Sequence, residues 1–129
     1  VAFGFLHHVP GAKNRLRLLR TLLEKAKPGG FVCISFWQFM NNQKLADKAY
    51  ETTAQGLQAL GIDASELEKN DYLIGWQGKA ETWRYCHHFS QEELDKLLVS
   101  LSPDVQVCAQ FSADGKENNL NRYVILKRV

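Results

Sequence analysis

VAFGFLHHVPGAKNRLRLLRTLLEKAKPGGFVCISFW, residues 1–37, is the stretch that decides the fold. Val1–Leu6 is a continuous apolar run, stopped by His7, His8, Val9, Pro10 and Gly11. A strand that is apolar on both faces is buried on both faces, the habit of a central parallel strand. From Ala12 to Ala26 the leucines at 16, 19 and 23, widened by 18 and 22, recur at helical spacing. Lys27, Pro28, Gly29 and Gly30 then stop the helix, because Gly and Pro end helices and turn chains. Phe31–Phe36 is a second fully apolar run, hence a second central strand. Strand, helix, turn and strand make a βαβ unit with parallel strands and a right-handed crossover.

Downstream the pattern predicts a helix over 40–60 with Leu45, Ala49, Thr53, Leu57 and Leu60 inward, ended by Gly61. Residues 61–83 are irregular but hold Tyr72, Trp76 and Trp83, too many large aromatics for a linker, so they read as a cap. Ser90 with Glu93 forms a capping box that opens a helix to about Leu101, with Leu94, Leu97, Leu98 and Leu101 inward. Val105–Phe111 alternates as a strand, and Asn121–Lys127 is the last strand. The short turn region around Asp114-Gly115 makes these two an antiparallel pair. The expected organisation is one domain over 1–129: the βαβ unit at 1–37, helix and cap at 38–83, helix and hairpin at 84–129.

Composition bounds the function. The 129 residues are 45% hydrophobic and 23% charged, which fits one ordinary globular domain. No apolar run approaches the roughly 20 residues of a membrane span. Cys33, Cys86 and Cys108 form no CxxC pair, which points to a reducing compartment, the cytoplasm. With no Cys/His/Asp set at ligand spacing, no metal site is expected, although His87, His88 and Phe89 adjoin. The net charge is only +2, but Lys13, Arg15, Arg17, Arg20, Lys25 and Lys27 crowd one segment, opposed by Glu24 alone. Such a stripe suits either phosphates or plain solvation. Residue 1 lacks Met and already lies inside an apolar run, so it reads as a truncation point.

The words FGFLHHVP and LLEKAKPGGFVCIS, at this separation, resemble the fourth-strand exit and the fifth-strand entry of class I S-adenosylmethionine-dependent methyltransferases. RYCHHFSQEELDKLL (84–98), NRYVILKR (121–128) and SFWQ (35–38) are similar to a narrower family, the methyltransferases that esterify a carboxymethyl group on the wobble uridine of tRNA. The resemblance covers nearly all of the chain but departs over 41–83. It implies the C-terminal half of a Rossmann-like, three-layer α/β fold. Four strands of a natural seven would form a partial, mostly parallel sheet with helices on both faces. The final strand would insert antiparallel. The Gly-rich cofactor loop of the family has no counterpart here, since Gly29-Gly30 precedes a strand. The resemblance therefore implies S-adenosylmethionine for the parent protein and an inactive fragment. A small-molecule methyltransferase and a non-enzymatic, partner-binding half-domain stay open beside the tRNA reading.

Ligands of open α/β sheets bind beyond the carboxyl ends of the strands. By resemblance Leu6 and His7 would touch the cofactor, and His7 and His8 would serve at the reacting centre. A carboxylate acceptor needs no base, so these histidines would position rather than deprotonate. Arg84 suits a carboxylate or phosphate through its planar fork, and His87 stands three residues on. In extended chain Arg84 and Cys86 share one face, Tyr85 and His87 the other. Trp37 and Trp76 are candidates to stack on a base, and Asn121 and Arg122, at the start of the last strand, to touch the acceptor. The exposed apolar edge of strand 1–6 is expected to pair with another chain, as a homodimer or a swapped assembly.

Overall fold

The computed structural model describes residues 1–76 and 78–129. It contains helices α1 (Ala12–Lys25), α2 (Gln43–Leu60) and α3 (Gln91–Leu101), and strands β1 (Phe31–Trp37), β2 (Asp71–Gly75), β3 (Trp83–His87), β4 (Val105–Ala113) and β5 (Asn121–Arg128). The strands form two sheets, β1-β5-β4 and β2-β3. Every ladder between these strands is antiparallel, which corrects the expected mostly parallel sheet. The cause is the place of β5. It inserts between β1 and β4, so those two run parallel to each other but never touch. The β4–β5 pairing predicted from the sequence is present, with a bulge between Val107 and Ala109.

Val1–Leu6 is not the central strand its composition suggests. Among the described residues it contributes one parallel bridge, Ala2 to Ile34. Ala2 N–H donates to the Cys33 carbonyl at 2.9 Å, and Ser35 N–H donates to the Ala2 carbonyl at 3.2 Å. Gly4 then takes a φ of +65°, outside the strand region, and its N–H turns to the Ser35 hydroxyl. Leu6–His8 close a 3-10 turn, and Val1, Phe3 and Phe5 are left exposed. Hydrophobic alternation survives only where the chain is paired.

Helices α1 and α3 lie on one face of the three-stranded sheet. Leu19, Leu23, Leu94, Leu98 and Leu101 pack there with Val32, Ile34, Phe36, Val124 and Leu126. Among the described residues the opposite face has no helix on it: Phe3 and Phe111 both pack against Tyr123, and Phe31 stands exposed at the edge. Helices on both faces were expected; α2 instead packs against β2.

The face that α2 buries also differs from the expected one. Ala46, Ala49, Thr52 and Gly56 are buried, whereas Leu45 and Leu60 are exposed. Small residues allow the helix to approach the hairpin closely. A Cβ on Gly56 would lie 3.0 Å from Leu73 Cδ1 and 3.1 Å from the Trp83 ring. The threonines complete the docking. Thr52 Oγ1 donates to the Leu73 carbonyl at 2.8 Å, and Thr53 Oγ1 accepts from Leu73 N–H at 3.0 Å. Both polar groups of an edge strand are thus satisfied by a helix. Ser90 caps α3 as predicted, accepting from Glu93 N–H. The Glu93 carboxylate does not close the box; it reaches His87.

Gly56→Leu should pry α2 from β2 and β3 and cost about 1–3 kcal/mol by overpacking. Urea unfolding measures it. An unchanged midpoint would count against the close contact.

Candidate functional site

The 3-10 turn, the end of β1, the middle of β3 and the start of β5 meet around a cleft of about 320 Å³. Phe3, Gly4, His7 and His8 line it from the N-terminal segment, Ser35 and Trp37 from β1. Arg84 comes from β3, and Asn121 and Tyr123 from β5. Five of the residues singled out from the sequence, His7, His8, Trp37, Arg84 and Asn121, therefore converge. Register explains the β5 pair: Asn121 lies opposite Trp37, and Tyr123 lies opposite Ser35 on the same face. Ser35 and Tyr123 were missed. Their signals were a lone hydroxyl inside an apolar strand and a position two residues beyond Asn121.

Three candidates lie elsewhere. Leu6 is fully buried in the main core, so it is not a cofactor contact on this surface. Arg122 alternates with Asn121 to the other face, where its Nη1 donates to Ser112 Oγ at 3.2 Å. His87 faces away from Arg84, as strand alternation requires, and is 2% exposed. Its Nδ1 lies 2.6 Å from Asp71 Oδ1 and its Nε2 lies 2.8 Å from Glu93 Oε2. Tyr85 O–H donates to the same Asp71 oxygen at 2.5 Å, and Arg15 Nη1 donates to the Tyr85 oxygen at 3.2 Å. Arg15 also lies 3.6 Å from Glu93, so this buried arginine leaves the basic stripe of α1. The Tyr85 hydroxyl is pushed up by burial and by its bond to Asp71.

Arg84 has a different environment. Its guanidinium sits 4.8 Å from the Trp76 ring and 5.8 Å from the Trp37 ring, between the two indoles. Such stacking holds the charge in place without neutralising it. No carboxylate lines the cleft, and among the described residues Arg84 makes no salt bridge. Asp114, nearby, already accepts from Asn121 Nδ2 and Tyr123 O–H. The His7 ring packs 4.8 Å from Trp37 and 4.1 Å from His8. Burial, then the charges of His8 and Arg84, lower its pKa to about 4. It is uncharged at neutral pH. His8 Nδ1 lies 3.1 Å from the Tyr85 carbonyl. A carbonyl only accepts, so Nδ1 carries a proton. His88, by contrast, is a packing residue: its Nδ1 accepts from Met40 N–H, and burial lowers its pKa to about 4.

A larger cleft, about 560 Å³, lies at the opposite end of the sheet beside Arg20, Leu101, Pro103 and Arg128. There Arg128 Nη1 already donates to the Glu24 and Ala26 carbonyls at the end of α1. Its cation is spent on a helix terminus. Among the described residues no group of three or more His, Cys, Asp or Glu is placed to hold a metal, and no helix is long and apolar enough to cross a membrane.

The residues at the cleft do not fit the nucleoside part of S-adenosylmethionine. No carboxylate stands ready for ribose hydroxyls. The N–H groups of Gly29 and Gly30 are spent on the Arg128 and Lys27 carbonyls.

No protein-family model matches the chain, and no curated protein matches it in sequence. Its fold is similar to that of a solved S-adenosylmethionine-dependent methyltransferase from Methanosarcina mazei. The match has a TM-score of 0.67 at 19% identity and covers 98% of this chain. The chain spans 57% of the length of that structure.

Because His7 and His88 are held neutral by burial, the unfolded chain binds their protons at higher pH than the folded one. Stability is therefore unaffected above pH ~6.5 and falls as pH drops from about 6.5 toward 4. His88→Asn, whose Oδ1 can still accept from Met40, should make the decline shallower in urea unfolding measured across that window. An unchanged slope would show that His88 is not held neutral.

Proposed function

We propose that this chain forms the acceptor side of an S-adenosylmethionine-dependent methyltransferase, and that the acceptor carries a carboxylate. The observation that carries the reading is Arg84: a guanidinium without an ion pair, stacked between Trp37 and Trp76 at the mouth of a cleft free of carboxylates. A planar fork of donors suits two carboxylate oxygens at once. Trp76, which is exposed, also offers a flat surface to a base. These features, with the words around 84–98 and 121–128, favour a carboxymethyl group on a tRNA uridine as the acceptor. The exposed Lys13, Arg17 and Arg20 of α1 add positive charge suited to the RNA backbone. The chain by itself should not bind the cofactor tightly, because its residues do not cradle the nucleoside. The cytoplasm, where its three free cysteines stay reduced, is the compartment proposed.

The test titrates the chain with 5-carboxymethyluridine and follows tryptophan fluorescence. Wild type should bind it, uridine should bind far more weakly, and Arg84→Gln should weaken the carboxylated nucleoside about tenfold or more, the scale of a lost charge-assisted bond. Equal affinity in wild type and Arg84→Gln would sink the carboxylate assignment. Micromolar binding of S-adenosylmethionine to the same chain in calorimetry would overturn the acceptor-side reading.

A further inference from the structure

His7 is the most deeply buried titratable group on the cleft, 7% exposed, and its Nδ1 meets no hydrogen-bond partner among the described residues. Native structures seldom leave such an atom unpaired, and those that do place it where something else completes it. The ring is pinned between His8 and Trp37. A half-turn about its Cβ–Cγ bond exchanges its two edges, so the nitrogen can be presented to the cleft without moving the ring plane. An uncharged imidazole has one accepting nitrogen, and on this wall, His8 aside, the only other side-chain acceptor without a recorded partner among the described residues is the Asn121 amide oxygen, on the more open β5 side. Arg84 only donates. The Tyr123 hydroxyl donates to Asp114, and Ser35 Oγ already accepts from Gly4 N–H. His8 is more open to solvent and has one nitrogen tied to the Tyr85 carbonyl.

We infer that the cleft reads two groups on one ligand: an anion at Arg84, and an N–H or O–H donor that His7 accepts. The ligand class is a planar ring that carries a carboxylate and an un-ionised ring N–H. This rests on the carboxylate reading of Arg84 and adds a second determinant to it. His7 would act as a specificity residue: a ligand of the same shape without the donor would leave its nitrogen unpaired. Neutrality is essential to the role, since a protonated imidazole has no lone pair to offer.

The experiment uses a matched pair of small probes, pyrrole-2-carboxylate and furan-2-carboxylate, which differ in ring N–H against ring oxygen. Affinities come from saturation-transfer NMR on the full chain at pH 7.5. Wild type should prefer the pyrrole acid by about three- to tenfold, the range for one net hydrogen bond. His7→Phe should bind both acids equally, and His7→Gln, whose amide oxygen can accept, should restore part of the preference. His8→Phe should keep it. Equal binding of the two acids by wild type overturns the inference, and so does a preference that survives His7→Phe. Arg84→Gln separates the two levels. If it binds both acids as wild type does, the anion reading itself fails. If it loses both while wild type shows no N–H preference, only the role of His7 fails.

Discussion

A buried imidazole shared by two carboxylates is the contact on which the arrangement of the cleft depends. His87 links Asp71 of β2 to Glu93 of α3, and Tyr85 and Arg15 close the network onto β3 and α1. Four elements, α1, β2, β3 and α3, are joined there. Both ring nitrogens face carboxylate oxygens, so the arrangement is fully hydrogen-bonded when the ring carries two protons. Buried networks of this kind rigidify when complete and are costly when one partner is lost. Strand alternation converts that rigidity into placement. With Tyr85 and His87 fixed inward, Arg84 between the indoles has only the opposite face to occupy.

The elements that were legible in the sequence are those whose burial follows a simple period. The leucines of α1 and α3 face the core, and the apolar run of β1 and the alternation near β4 and β5 lie where they were read. The β2–β3 hairpin was not legible. Its strands hold Asp71, Arg84 and His87, residues that strand patterns penalise but that the buried network and the cleft use. The face of α2 was misread for a related reason. Periodicity looks for large apolar side chains, whereas this helix docks through Ala46, Ala49, Thr52 and Gly56 and leaves Leu45 and Leu60 outside. Val1–Leu6 failed differently: its composition is that of a strand, but Gly4 bends it after a single bridge.

At the cleft, several segments singled out in the sequence converge, and geometry selects among neighbours. Of Asn121 and Arg122, and of Arg84 and His87, one member of each pair reaches the cleft. Residue type alone could not separate them, because both members carry plausible chemistry; the pleat does. The site that results is unusual in its balance. It has a cation without a counter-ion, a histidine kept neutral, and three aromatic rings, but no acid.

The position of β5 has a consequence for how the chain comes to be folded. Among the described residues β5 alone bridges β1 and β4, and β1 pairs with it across some ninety residues of sequence. Pairings so remote must wait for loop closure, which slows their formation. On a ribosome, β1 emerges well before β5 and can do no more than lean on α1 until that strand arrives. The helices and the α2–β2–β3 unit, being local, can assemble first. Closure of the sheet, and with it the meeting of Trp37 with Asn121, is then the final event, so the binding surface exists only in molecules whose synthesis has reached β5.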